Sequence, residues 1–74
     1  MCLNDLGVNE KCVISSLNSC GIMRRRLMDI GFLPGSVVSC VLSSPSGNPK
    51  AYLVKGSVIA LRNSDASDIE VELL

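Results

Sequence analysis

Histidine and tryptophan are absent from this 74-residue chain, which also has only one phenylalanine and one tyrosine. The missing histidine removes the side chain that most often acts as a general base or as a neutral metal ligand. The two aromatic rings, Phe32 and Tyr52, leave little to stack on nucleic-acid bases, so binding to single strands is disfavoured. The core must therefore be built from leucine, isoleucine and valine side chains.

A surplus of charge and a long apolar run are missing as well. Seven Lys and Arg residues balance seven Asp and Glu residues, which gives a formal net charge of +0. Nucleic-acid-binding domains usually carry a basic excess, so we expect no nucleic-acid partner. No segment approaches the roughly 18 apolar residues that span a membrane, and residues 1–6 lack the basic and apolar regions of a signal peptide. We therefore expect a cytosolic protein with a single small domain over residues 1–74.

The residue patterns of common catalytic sites are also absent. The chain offers no nucleophile beside a base and no glycine loop that would hold a phosphate, so we expect neither enzymatic activity nor a cofactor. Asp65, Asp68, Glu70 and Glu72 supply carboxylates that iron could use. Because Glu70 and Glu72 alternate along the wet side of a predicted strand, we interpret these residues as a solvated face.

Four cysteines raise the question of a metal site. Cys2, Cys12, Cys20 and Cys40 lack the close C-x-x-C spacing of zinc sites, and no histidine is present to complete a ligand set. Disulfides are uncommon in the cytosol. We interpret the cysteines as small apolar or partly exposed side chains, and metal binding by them stays an open alternative.

An amphipathic helix is the clearest element of the chain. Asn18 or Ser19 is its predicted N-cap, because short polar side chains accept hydrogen bonds from the first free amides of a helix. Met23, Leu27 and Ile30 follow at intervals of four and three residues, which places them on one face. We expect that face to be buried.

The end of this helix is marked by glycine and proline. Gly31 can adopt the positive φ that closes a helix, and Phe32 can fold back onto Leu27. Pro34 cannot continue the helix, and Gly35 frees the backbone to turn. The pattern predicts that the helix passes directly into a small sheet.

Three consecutive arginines lie on the polar side of the helix. Asp29 can pair with Arg25 at i, i+4, which would account for only one of the three cations. Met28 lies near Arg24 and Arg25, where it either covers the edge of the core or contributes to a docking surface. We hypothesise that Arg24, Arg25 and Met28 form part of a partner-binding surface, in which methionine supplies apolar area and arginine supplies directional hydrogen bonds.

Short alternating segments predict five strands, over residues 12–16, 37–42, 51–54, 57–62 and 69–73. In the second of them, Val38, Cys40 and Leu42 share the predicted inner face. A helical turn capped by Ser64 precedes the last strand, and Asn9 suits a turn with positive φ. Five strands with an inserted helix predict a mostly β fold, a small closed barrel of the SH3-like type.

Several motifs, in order along the chain, resemble those of the FeoA family, ferrous-iron transport protein A. The family pattern R-L-x-D-I-G-F-x-P-G is met over residues 26–35. Residues 47–49, Gly-Asn-Pro, resemble a Gly-Asp-Pro turn of the family. Residues 59–62, Ile-Ala-Leu-Arg, resemble one of its strand ends. The N-terminal Leu3 and Leu6, three residues apart, match a further sequence feature of the family. The positions that carry the resemblance are Leu27, Gly31, Phe32, Pro34, Gly35, Gly47, Pro49, Leu61 and Arg62.

Two positions depart from the family pattern. Asn48 replaces the usual Asp, which keeps the turn geometry and removes a charge. Asn9 stands where the family usually has glycine, and asparagine also tolerates positive φ. Both substitutions are compatible with the predicted turns.

The resemblance implies an SH3-like bacterial protein that works with FeoB, the membrane transporter of ferrous iron that carries a cytosolic GTP-binding domain. The implied role is docking on FeoB and modulation of its assembly or activity, at the inner face of the membrane. The same fold resembles the C-terminal domain of iron- and manganese-dependent repressors, so a metal-sensing domain is an alternative, although no helix-turn-helix segment accompanies it here. A small barrel that binds nucleic acid is another alternative, and weak self-association is also open.

Overall fold

Five strands and two helices follow a short 3-10 turn in the computed structural model, which describes residues 1–74. The strands are β1 Lys11–Leu17, β2 Val37–Ser43, β3 Lys50–Val54, β4 Ser57–Leu61 and β5 Ile69–Leu73. The helices are α1 Gly21–Ile30 and α2 Asn63–Ala66, and the 3-10 turn covers Leu3–Asp5. The predicted five strands, the inserted helix and the helical turn before the last strand are all confirmed.

The strands form one antiparallel sheet in the order β4-β3-β2-β1-β5. The outer edge of β5 is covered by the first residues of the chain, because the Val71 amide donates to the Met1 carbonyl at 2.8 Å and Cys2 pairs with Glu70. The two end strands, β4 and β5, do not pair with each other. The small barrel predicted from the sequence is therefore open between β4 and β5, and β4 remains an edge strand.

The core is a single cluster of 15 buried hydrophobic residues. Leu3 and Leu6 are fully buried, and they carry the 3-10 turn onto the inner face of the sheet. Lys50 fixes this segment, since its Nζ donates to the Asn4 carbonyl at 2.7 Å and to the Leu6 carbonyl at 3.1 Å. One lysine on β3 thus satisfies two carbonyls of the N-terminal segment.

Tyr52 is the largest fully buried side chain. Its hydroxyl donates to the Leu3 carbonyl at 3.5 Å, a long hydrogen bond. Burial raises the pKa of Tyr52 to about 12, and the neighbouring Cys40 and Cys12 thiols contribute in the same direction. Burial likewise raises the pKa of the Cys12 thiol, against a smaller opposing effect of the Val38 backbone. The phenol and the Cys12 thiol are therefore neutral members of the core.

Three sequence predictions about element ends and faces are wrong. Leu42 is 64% exposed instead of buried, because a bulge between Cys40 and Leu42 turns the end of β2 over. The last predicted inward residue of β5, Leu73, is exposed as well. The cap of α2 is Arg62, so this helix begins one residue before the predicted capping residue Ser64.

The start of α1 also differs from the prediction. The N-cap is Cys20, and no side chain caps the helix by a hydrogen bond. Asn18 lies two residues before the N-cap, and its backbone amide donates to the Asp68 carbonyl at 2.7 Å, which extends the pairing of β1 beside β5. Ser19 is buried and its Oγ has no hydrogen-bond partner. Of the predicted apolar stripe, only Leu27 is fully buried, whereas Met23 and Ile30 are half-buried against the core.

Replacing Lys50 by methionine should destabilise the fold. The two carbonyls of the N-terminal segment would lose their charged donor while the aliphatic stem is kept, so we expect a loss of about 1–3 kcal/mol in the free energy of unfolding. Urea unfolding followed by circular dichroism measures this. Lys11→Met, at an exposed lysine that makes no such hydrogen bond, is the matched control. Equal stability of the two variants would contradict the assigned role of Lys50.

The buried phenol predicts a loss of stability at alkaline pH. Tyr52 keeps its proton to about pH 12 in the folded state, whereas its ordinary pKa is 10.0. The stabilisation from this raised pKa is fully present below about pH 10 and is lost as the pH rises through about 12. Tyr52→Phe should unfold with a flatter dependence on pH between these values, which a series of urea titrations measures. Parallel pH profiles for the two proteins would exclude this linkage.

Candidate functional site: the outer face of helix α1

The exit of α1 holds this helix against the sheet as the sequence predicts. Gly31 has a φ of +124°, and its amide donates to the carbonyls of Leu27 at 3.2 Å and Met28 at 3.1 Å. The Phe32 amide donates to the same Leu27 carbonyl at 3.0 Å, and both Phe32 and Leu27 are buried. The turn then joins β1, because the Gly35 amide donates to the Ile14 carbonyl at 2.7 Å. Gly31, Phe32, Pro34 and Gly35 therefore position the helix.

The turn at residues 47–49 positions α2. The Asn48 Oδ1 accepts a hydrogen bond from the Asn63 amide at 3.0 Å, and the Asn63 Nδ2 donates to the Gly47 carbonyl at 3.1 Å. Asn48 therefore caps the first turn of α2 with a neutral amide oxygen. The turn of Gly47 and Pro49 is thereby tied to the end of β4.

The remaining signature residues, Leu61 and Arg62, lie at the same junction. Leu61 is part of the core. Arg62 is exposed, and its Nε lies 3.4 Å from the Asp65 Oδ2, an exposed pair that contributes little to stability. These positions explain why α2 follows β4 without a loop.

Of the three residues predicted to bind a partner, Arg25 is exposed, whereas Arg24 and Met28 are half-buried. Arg24 Nη1 donates to the Leu17 carbonyl at 3.0 Å, which ties the helix to the end of β1. Met28 packs against the core. All three line a shallow depression of about 410 Å³ together with Gly21 and Asp29. The structure thus brings the predicted residues together, and it also gives Arg24 and Met28 structural contacts.

Sequence reasoning missed Ile22, which is 78% exposed on the first turn of α1 and is the most exposed large hydrophobic residue of the chain. With Arg25, Arg26, Asp29 and Ile30 it lines a second depression of about 320 Å³ beside the first. At 100° per residue, Ile22 falls about 100° away from the buried stripe, so its exposure could have been predicted from the helical periodicity.

The charged side chains of this face form no ion pair within the chain. Arg24, Arg25 and Arg26 outnumber Asp29, three cations to one anion, so the face carries an excess of +2. The pair expected between Arg25 and Asp29 is not formed, since the one ion pair within 4.0 Å joins Arg62 to Asp65. We define the α1 face as Ile22, Arg24, Arg25, Arg26, Met28 and Asp29.

The cysteines are dispersed over the molecule as free thiols. Cys12 and Cys40 are buried, Cys2 is half-buried and Cys20 is exposed at the start of α1. No group of three or more cysteine and carboxylate side chains comes together in a geometry that would hold a metal ion. No helix of the protein is both long and apolar enough to cross a bilayer.

A family model described as the FeoA domain matches residues 1–73 of the chain. The chain belongs to the FeoA family. A fusion protein of Fe(2+) transport protein A and the Fe(2+) transporter FeoB, from Porphyromonas gingivalis, is 32% identical over 74 residues. That match covers 100% of this chain and 9% of the fusion protein, so the chain corresponds to a small part of that relative.

Solved FeoA structures share the fold. The solution structure of iron(II) transport protein A from Clostridium thermocellum gives a TM-score of 0.95 at 31% identity, over 100% of this chain and 46% of that one. FeoA from Stenotrophomonas maltophilia, a zinc complex described as a prokaryotic SH3 domain protein, gives a TM-score of 0.86 at 30% identity, over 97% of this chain and 89% of that one. The SH3-like fold predicted from the sequence is confirmed.

Gly31→Ala should destabilise this FeoA chain by about 1–3 kcal/mol, because alanine tolerates positive φ poorly. A Cβ at this position would also lie 2.6 Å from the Lys55 Cγ, which must then move. Gly47→Ala is the matched control, since Gly47 has a φ of +80° and no heavy atom within 4 Å of an added Cβ. Thermal unfolding should show the larger loss for Gly31→Ala. A larger loss for Gly47→Ala would contradict the role assigned to the helix exit.

Proposed function

We propose that this FeoA-family chain is a non-enzymatic accessory protein of ferrous iron uptake that docks on a FeoB-type transporter and modulates its assembly or activity. The observation that supports this most is the relative in which Fe(2+) transport protein A and FeoB are one polypeptide. Fusion keeps two domains at a high effective concentration, which is useful when they must bind each other.

The α1 face is the proposed docking surface. Ile22 supplies an apolar side chain that is exposed to solvent, and Arg25 and Arg26 flank it with donors that make no ion pair within the chain. An exposed apolar residue surrounded by arginines is typical of the centre of a protein interface. Its complement is an apolar hollow edged by Asp or Glu side chains on the transporter.

The helix can carry such a surface because Ile22 and Arg25 are exposed, whereas other residues of the helix make the contacts with the core. Leu27 is buried, and Met23, Met28 and Ile30 cover the core beneath the helix. Residues on the outer side, such as Arg25 and Asp29, are free to change without loss of packing. Docking at this face therefore requires no rearrangement of the barrel.

The proposed function is tested by titrating the purified protein against the purified FeoB of the same organism, with GDP, with a non-hydrolysable GTP analogue and without nucleotide. Saturable binding is expected, and a difference between nucleotide states would identify the state that the protein recognises. A failure to bind in every state would contradict the proposal.

The docking surface is tested separately by the double variant Ile22→Ser and Arg25→Glu. Removing an apolar anchor and reversing a charge should weaken binding to FeoB at least about tenfold, because residues of this kind commonly contribute more than 1 kcal/mol. The matched control is Val8→Ser with Lys11→Glu, which makes the same changes at exposed residues outside the α1 face. Equal affinity of the two double variants, with unchanged circular dichroism, would remove the α1 face from the interface.

A further inference from the structure

The outer edge of β4 is the one long stretch of sheet backbone that the fold leaves without a partner. Lys55 and Gly56 have φ values of +51° and +79° and form the two-residue turn between β3 and β4. In a hairpin of this type, the two residues that flank the turn, here Val54 and Ser57, hydrogen-bond to each other through their backbone groups. From there along the strands, non-hydrogen-bonded pairs alternate with hydrogen-bonded pairs. The amides and carbonyls of Val58 and Ala60 therefore point away from β3.

No other element covers these groups. The backbone hydrogen bonds outside the helices and sheet ladders include none from residues 57–61. Val58 is 62% exposed, and Ala60 is exposed beside it. The strand also lacks the lysine, proline or bulge by which proteins usually protect a sheet edge.

The outer surface next to this edge is apolar and carries no charge. In the register of the sheet, Val58 lies opposite Leu53 and Ala60 lies opposite Ala51. Ala51 in turn lies opposite the exposed Leu42. We call this surface, comprising Leu42, Ala51, Leu53, Val58 and Ala60, the β4 patch. It lies on the sheet, apart from the residues of the α1 face.

The spacing of the free groups makes the edge complementary to itself. If two copies of β4 run antiparallel about a two-fold axis at Ile59, Val58 of each copy faces Ala60 of the other. Both residues carry outward amides and carbonyls, so four hydrogen bonds form and no group of Val58 or Ala60 is left unpaired. A valine facing an alanine also avoids steric conflict across the joint.

Charge permits this arrangement. In the same register, Arg62 of one copy faces Gly56 of the other, and Lys55 faces Asn63, so no like charges stand directly opposite each other. The formal net charge of +0 means that two copies do not repel each other at long range. The β4 patch has no charged side chain to which an oppositely charged partner could bind.

We infer that β4 is a homodimerisation edge, at which a second copy of this chain adds its own β4 antiparallel to the first and joins two five-stranded sheets into one. The two β4 patches then form a continuous apolar surface across the joint. Because a five-residue edge buries much less than the roughly 1,600 Å² of a standard interface, the dimer is weak and forms as the concentration rises.

Sedimentation velocity over a wide concentration range tests the dimer. The weight-average mass of the wild-type protein should rise from 7.9 kDa toward twice that value. Val58→Lys should remain monomeric over the same range, whereas Val8→Lys, a matched change at another exposed valine, should behave as the wild type. Ala60→Pro should also remain monomeric, because it removes an outward amide and leaves the bonds to β3 intact.

Amide hydrogen exchange of the wild-type protein identifies the edge without a variant. The Val58 and Ala60 amides should exchange fast in dilute solution and at least about tenfold more slowly when the dimer is populated, since an added hydrogen bond protects them. The Ile59 amide, which is bonded to β3 in either state, is the internal control. A monomer at every concentration, or slowing confined to other amides such as those of α1, would overturn the proposal.

Discussion

The Leu27 carbonyl accepts two amides at once, those of Gly31 and Phe32, and much of the remaining structure depends on this junction. It ends α1, turns the chain by way of a positive φ and inserts the Phe32 ring into the core within two residues. The helix has few other deep anchors, because Leu27 is its one fully buried residue. If the junction were lost, the helix would keep its sequence pattern but would no longer have a fixed orientation on the sheet.

This dependence explains how a chain of 74 residues can hold the proposed docking surface in a fixed orientation. A small domain has little core to spare, so a helix that buried all its apolar residues would have none left for a partner. Here one buried leucine and three half-buried side chains hold the helix, and Ile22 remains outside. Arg25 and Arg26 are then exposed on a helix whose two ends are both tied to β1, by the bond of Arg24 to the Leu17 carbonyl and by that of the Gly35 amide to the Ile14 carbonyl.

The elements that could be predicted from the sequence are those specified by local chemistry. Gly31, Phe32 and Pro34 mark the helix exit because few residues have these conformational properties, and the alternation of strand residues gives the strand count. The start of α1 could not be found in the same way. The Asn18 backbone amide donates to the carbonyl of Asp68, a residue 50 positions away, and this long-range pairing keeps Asn18 in the segment before the helix. The prediction for Leu42 is wrong for a similar reason. A bulge changes the face that its side chain occupies, and no residue pattern in the sequence indicates the bulge.

The two ends of the sheet are finished differently: one is sealed by the chain's own first residues at β5, and the other is left bare at β4. Bare edges at both ends would let copies add to copies without limit, which is how strand stacking leads to fibres. With one end sealed, the proposed β4 dimer would use the last free edge of each copy, and growth along the sheet would stop after a single addition. The short N-terminal segment would then act as a chain terminator for edge-to-edge polymerisation, a role separate from its contribution to the core.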